Sequence, residues 1–477
     1  MYLSERLRAD STETPAPATA LRDRVAPTVI LLGLVSLFTD ISSESLSAVL
    51  PLYLTAVLGL SPLAYGFIDG LYQGVSALVR ILGGWLADRA DRPKWVAFAG
   101  YGLSAVTKIA LIPLHGFAAV TAVITVDRLG KGVRTAPRDA MIAASTPAHA
   151  LGRAFGVHRA LDTAGAAIGP LVAFAILFWV PGDYTSVFVA SFAAAMIGLA
   201  VLGLMVPDLR PRRAGARTAQ AAEEATTKPD EQPTTKPDAQ ATARPDAQAT
   251  AKQDAPSSRV TPSLRTMTRS GMGRLVAATA LLSVLAISDG FLYLSLQQRD
   301  DLAATWFPLL FVGTNVAYFA LAIPFGRLSD RIGRAKVLVA GHLLLVGAYL
   351  CTAGPVGGLG MTLLTLLLLG AFYATTDGVL AALTSTLVPT EVRGVAIATT
   401  QTVVALGRFA SSLTFGVLWA WLGRGPAVLT YAVLLASAIP VAWWLLAGLR
   451  ARGGQAASGT AADGTAASGT AASGTAP

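Results

Sequence analysis

Two stretches decide how this chain is read: GGWLADRADRPKW at 83–95 and FGRLSDRIGRAKV at 325–337. Each stands directly behind a long apolar run, and each keeps Gly, Leu, Asp, Arg, Arg and Lys at one spacing. The first copy is Gly84, Leu86, Asp88, Arg89, Arg92 and Lys94; the second is Gly326, Leu328, Asp330, Arg331, Arg334 and Lys336. The offset of 242 (326 − 84) also carries Gly152 onto Gly394 and Gly165 onto Gly407. A charged motif repeated half a chain apart implies two copies of one unit.

The composition says what the units are made of. Of 477 residues 14% are charged and 53% hydrophobic, against about 25% charged in ordinary soluble domains. The apolar residues fall in blocks of about twenty, the length a helix needs to cross about 30 Å of hydrocarbon. Twelve blocks are counted, at about 27–54, 63–86, 95–113, 117–137, 153–179, 184–206, 274–296, 304–326, 335–353, 359–386, 393–422 and 427–449. The expected architecture is an all-α membrane protein of twelve spans in two pseudo-symmetric six-helix bundles, 27–206 and 274–449.

Three segments stand apart. Residues 1–26 are polar and lack the apolar core of a cleavable signal peptide, so a cytoplasmic N-terminal segment is expected. Residues 207–273 repeat every eight positions from Lys228, Lys236, Arg244 and Lys252. Such polar, Pro/Ala/Thr-rich sequence cannot bury enough apolar surface to fold and reads as a largely disordered cytoplasmic linker. The Ala/Gly/Ser/Thr tail, 450–477, reads as disordered too.

Orientation follows from the basic residues in short connections. Arg89, Arg92, Lys94, Arg153, Arg331, Arg334, Lys336 and Arg393 all fall on one side. Both termini are therefore expected in the cytoplasm, with the chain multi-pass in the plasma (inner) membrane. The net charge of +9 is then a topology signal rather than a nucleic-acid footprint. One cysteine, Cys351, excludes an internal disulfide or a Cys-based cluster, and His158 has no partner histidine, so neither a metal nor a cofactor is expected.

At this point the residues resemble the major facilitator superfamily, whose loop between spans 2 and 3 carries a GxLxDRxxRxK signature, often with a degenerate copy between spans 8 and 9. ITVDRLGKGVRTA at 124–136 is similar to the family's span 4 motif, which places an arginine, here Arg128, mid-membrane. GAAIGPLVAF at 165–174 resembles the antiporter-associated Gly-Pro motif through Gly165, Gly169 and Pro170. The resemblance implies a transporter, not an enzyme, working by alternating access. It also implies a gating role for Gly84, Asp88, Arg89, Arg92, Gly326, Asp330, Arg331 and Arg334. In relatives the motif's Asp sits against a helix end of the other half, which would set Asp88 near 390–394 and Asp330 near Gly152. A simpler reading gives these loops only a topological role, and gives the helix 5 glycines and Pro170 only packing and bending.

Ionised groups at mid-bilayer cost at least about 2.5–3.5 kcal/mol on insertion scales and so face an interior partner or cavity. By depth, Asp40, Arg128, Asp127 and Asp162 come out near the middle, Glu44, Asp69 and Lys108 in one outer third, and Lys131, Arg134, His158 and Arg159 toward the cytoplasm. Asp40 and Glu44 share a helix face; two close carboxylates resist being ionised together. Proton-coupling candidates are thus Asp40, Glu44, Asp69, Arg128 and Asp162, with Arg128 set to pair with Asp40. Cavity candidates are Lys108, Lys131, Arg134, His158, Arg159 and Asp289. The competing reading makes Glu44, Asp69 and Lys108 a static ion cluster and His158 a packed polar residue. The favoured function is a proton-coupled exporter of a small solute, acting as a monomer in the lipid bilayer. A proton-coupled uptake symporter, or a sensor or assembly factor that kept the fold, are the alternatives. The sequence is silent on the solute.

Overall fold

The computed structural model describes residues 25–90, 92–208, 271–389 and 392–466; within these, the side chains of 76–78, 80–90, 148 and 448–466 are not described. The terminal and linker expectations for 1–24, 209–270 and 467–477 lie outside the described residues. Among the described residues thirteen α-helices follow in order: α1 Pro27–Leu52, α2 Pro62–Ala90, α3 Pro93–Ala110, α4 Phe117–Ala144, α5 Leu151–Trp179, α6 Tyr184–Ala200, α7 Met272–Val284, α8 Asp289–Asp300, α9 Phe307–Ile332, α10 Arg334–Ala353, α11 Leu359–Leu387, α12 Arg393–Leu422 and α13 Arg424–Ala466. No strand occurs among them.

Nine stretches among the described residues are long and apolar enough to cross a membrane on composition alone. The other three helices, α2, α3 and α4, carry Asp69, Lys108, Asp127, Arg128, Lys131 and Arg134. Their charges are the ones that build the interior described below.

The seventh apolar block, read as one span, is broken. α7 ends at Val284 and α8 starts at Asp289. A gap in a membrane helix leaves peptide groups with no water to bond, so other side chains must satisfy them. The Tyr349 hydroxyl accepts from the Ile287 amide at 2.7 Å and donates to the Leu285 carbonyl at 3.0 Å. Ser411 Oγ donates to the Ala286 carbonyl at 2.8 Å. One tyrosine and one serine thus replace the missing turn.

The helices form two compact units. The first takes α1 up to Val49, α2 from Val79, α3, α4 from Val126, α5 and α6. The second takes Leu50–Leu78, Gly116–Thr125 and α7 to α13. In the first unit glycines permit backbone contact: a Cβ on Gly165 would collide with the Leu37 carbonyl oxygen, and one on Gly169 would meet Glu44 Cβ at 2.8 Å. Ser45 Oγ uses that proximity, donating at 2.7 Å to the Gly169 carbonyl. Next to it Pro170, inside α5, has no amide hydrogen and so removes the helix bond that the Ala166 carbonyl would otherwise receive. In the second unit Gly416 permits a similar approach, since its Cβ would lie 2.7 Å from the Pro62 carbonyl oxygen.

Candidate functional site

Membrane interiors admit charge only in compensated groups, and both units hold such groups among the described residues. In the first, Asp127 on α4 is the anchor. Its Oδ1 accepts from Lys108 Nζ at 2.5 Å, Ser104 Oγ at 2.5 Å and Thr107 Oγ1 at 3.1 Å, all from α3. Its Oδ2 accepts from Arg128 Nε at 2.8 Å and from Arg128 Nη2. Lys108, Asp127 and Arg128 are all buried. The expected Arg128 to Asp40 pair is therefore corrected: the guanidinium turns to its sequence neighbour, which two α3 hydroxyls already hold in place. Lys108 likewise belongs to Asp127 rather than to a cluster with Glu44 and Asp69.

Asp40 lies elsewhere in the same unit. Its carboxyl is within hydrogen-bonding reach of Asp162 on α5, with Lys131 and Arg134 of α4 as the nearest opposing charges. Lys131 is half-buried, makes no ion pair among the described residues, and faces both Glu44 and Asp40. Asp162 also meets Arg138 Nη1 at 3.6 Å and Arg159 Nη1 at 3.4 Å, and Arg138 reaches Asp139 at 3.0 Å. Arg159 is largely exposed. His158 is buried against Ser36 Oγ at 3.5 Å.

The second unit gathers Asp69, Asp289, Tyr373 and Arg408. Asp289 opens α8, where the helix N-terminus favours an acid, and its Oδ1 accepts from the Tyr373 hydroxyl at 2.7 Å. Arg408 stacks over the Tyr373 ring at 5.4 Å. Asp69 Oδ2 accepts from Ser412 Oγ at 2.5 Å. A pocket of about 50 Å³ lined by Thr279, His342, Asp377 and Gln401 meets this group at Arg408; by volume it suits a few waters or one small polar group.

The side chains of Asp88 and Arg89 and the surroundings of Gly84 lie outside the described residues. Of the same motif, Arg92 is exposed, while Lys94 is buried and donates to the carbonyls of Gly203 at 2.9 Å and Val206 at 2.7 Å. In the second copy Asp330 and Arg331 are exposed and Gly326 has open space around it. Asp330 pairs with Arg334 at 3.1 Å, and Arg334 also reaches the Ala382 carbonyl at 3.1 Å.

Helical repeats enclosing compensated charge are what a solute carrier needs, and the family model for the Major Facilitator Superfamily matches residues 32–311 and 279–471. The chain belongs to the Major Facilitator Superfamily. The uncharacterized MFS-type transporter MJ1317 of Methanocaldococcus jannaschii is 28% identical over 330 residues, 66% of this chain and 69% of that protein. The uncharacterized protein Rv2265 of Mycobacterium tuberculosis is 35% identical over 147 residues, 30% of this chain and 35% of that one. Among solved structures, a point mutant of the nucleoside transporter NupG superposes with a TM-score of 0.70 at 14% identity, covering 88% of this chain and 99% of its own. A point mutant of the peptide transporter POT gives 0.64 at 17%, covering 88% and 96%. At these identities the likeness is one of fold. The superfamily member described here is a multi-pass, all-α transporter with two pseudo-symmetric bundles, and not an enzyme.

The sequence points to Arg128 and Asp40 but not to Tyr373 and Ser412, which bond the second unit's acids. A tyrosine or serine in an apolar run gives no sign of its bonding. The helix break leaves only a faint one, Ser288 directly ahead of Asp289 inside an otherwise apolar block, residue types common where a helix starts.

Proposed function

We propose that this superfamily member is a proton-coupled exporter of a small solute, with coupling carried by Asp40 and Asp162. The observation behind the reading is the carboxyl-to-carboxyl contact of α1 and α5 facing Lys131 of α4, which has no ion pair among the described residues. Two carboxyls at that range hold a proton between them, because both ionised would repel in a medium that screens poorly. Losing the proton adds a negative charge beside Lys131 and draws α4 toward α1 and α5. Solute binding and proton release then compete for one lysine. That competition is what exchange requires, since a ligand shifts a conformational balance only through different affinity for its states.

The partly matched Gly-Pro motif of α5 supports export over uptake. The remaining parts follow the same reading. The bundles are 27–206 and 274–449, the 207–273 linker and both termini face the cytoplasm of the plasma membrane, and the chain works as a monomer. The loop motif around Asp88 and its copy around Asp330 serve as the gate. Glu44 and Asp69 are secondary coupling candidates, Lys131 with Arg134 lines the solute's path, and Asp289 is a cavity candidate.

The test begins with the metabolites retained by cells with and without the protein, and continues with flux of the identified solute in vesicles under an imposed pH gradient. Asp40→Asn keeps the contact geometry and removes the titration, so it should abolish gradient-driven extrusion while leaving passive exchange. An Asp40→Asn protein that still drives the solute uphill with the wild-type proton dependence overturns the assignment.

A further inference from the structure

Six buried polar atoms of the first unit have no hydrogen-bond partner among the described residues, and three of them are Arg134 Nη1, the Tyr101 hydroxyl and His158 Nδ1. Arg134 is 3% exposed, Tyr101 2% and His158 3%. An orphaned buried donor is costly, and a charged one more so. Native interiors avoid this unless something not made of protein completes the site.

The three belong to one chain of contacts. The Arg134 guanidinium stacks on the Tyr101 ring at 4.4 Å. Tyr101 lies within electrostatic reach of Arg138. Arg138 Nη1 donates to Ser36 Oγ at 3.2 Å, and Ser36 Oγ meets His158 Nε2 at 3.5 Å. Because Ser36 Oγ already accepts from Arg138, its own hydrogen goes to His158 Nε2. A neutral imidazole accepting at Nε2 carries its hydrogen on Nδ1. All three orphans are therefore donors, and what they lack is an acceptor.

Charge says which acceptor. Asp127 is engaged by Lys108 and Arg128, Asp139 by Arg138, Asp162 by Arg138 and Arg159, and Asp40, the acid within electrostatic reach of Arg134, by Asp162 and Lys131. Arg134 has no ion pair among the described residues. A water would accept from two donors at most and would bring two hydrogens into a region already rich in donors, leaving the guanidinium uncompensated. Space says how large. A Cβ on Gly100 would meet the Gly130 carbonyl oxygen at 2.8 Å, so α3 and α4 touch there, and Tyr101 is packed among Val29, Leu32, Val35, Met141, Ile142 and Ala154.

We propose that this unit binds a small monovalent anion, of chloride or nitrate size, between Arg134, Tyr101 and His158. The site lies among α1, α3, α4 and α5 and does not depend on the transport reading. The anion compensates Arg134, which otherwise adds its field to that of Lys131. It acts as a fixed counter-ion that tempers the combined field of the two bases.

The test is thermal unfolding of the purified full-length protein in detergent, in sodium chloride, sodium nitrate or sodium gluconate at equal ionic strength. Binding to the native state raises the midpoint as the anion concentration passes the dissociation constant, so chloride and nitrate should stabilise and the bulky gluconate should not. Tyr101→Phe removes one bond to a charged ligand and should weaken the chloride response by about tenfold, from about 1.5 kcal/mol. Arg134→Met should abolish the response. Equal midpoints in the three salts, or a wild-type chloride response in Tyr101→Phe, overturns the proposal in favour of water or an empty gap. If Arg134→Met does not fold, Tyr101→Phe decides alone.

Discussion

The Lys108, Asp127 and Arg128 triad allows a sharp comparison, because one acid serves two bases. Changing Asp127 to Asn leaves two buried cations facing a neutral amide. Removing one member of a buried pair in this way costs about 3–5 kcal/mol, and here two bases lose the acid they share. Lys108→Met differs. Methionine fills much of the lysine stem's volume, and Asp127 keeps two bonds from Arg128 and two from Ser104 and Thr107. The remaining pair is neutral, with one bond lost from an acid that retains four, so the expected cost is about 0–2 kcal/mol, set by one charge-assisted hydrogen bond less the relief of burying one charge fewer. Melting of the purified variants in one detergent reads the order: wild type close to Lys108→Met, with Asp127→Asn far below. A Lys108→Met protein that melts as low as Asp127→Asn refutes the reasoning and makes the lysine, not the arginine, the principal partner.

Two further outcomes are expected. Tyr349→Phe strips the break between α7 and α8 of both its acceptor for the Ile287 amide and its donor to the Leu285 carbonyl, costing about 2–4 kcal/mol for two orphaned groups and, by hydrogen exchange, loosening residues 285–288 ahead of the rest of the second unit. Asp183 caps α6, accepting from the Ser186 amide at 3.0 Å and the Ser186 hydroxyl at 2.5 Å, and these donors hold its carboxyl below the usual carboxylate range. Because the folded value is the lower one, its contribution is full above the unfolded value of about 3.9 and fades as the pH falls through the folded value. Asp183→Ala should cost about 1 kcal/mol at neutral pH, with the difference from wild type shrinking in acid.

Spans and repeat were legible because each is a property of residue type along the chain. Apolar blocks set the helices, and an offset of 242 (326 − 84) set the repeat. Pairing was not legible, because depth counted along a helix says how far a group lies from the bilayer face but not which neighbour it turns toward. Counting along the helices puts Asp40 and Arg128 at one depth, yet Arg128 turns to Asp127. The break at Leu285–Ser288 was hidden for a related reason. No proline marks it, and the residues that make it tolerable, Tyr349 and Ser411, are 62 and 125 positions from the groups they bond.

The repeated loop motif shows how duplicated sequence diverges in use. Lys94 and Lys336 occupy equivalent places, yet Lys94 is buried and caps the carbonyls that end the helical run 201–205 after α6, while Lys336 is exposed. A cation at a helix C-terminus is favoured by the unsatisfied carbonyls there. In the second copy the corresponding service comes from Arg334, which bonds the Ala382 carbonyl in the last turns of α11. The same loop thus holds α6 in one copy and α11 in the other, through residues two positions apart in the motif. Topology alone asks only that these bases stay on one side. Direct bonds to helix carbonyls go further, tying each loop to the helix beside it, so that a movement of the loop is a movement of that helix. In the first copy that helix is the one whose end leads into the segment 207–273.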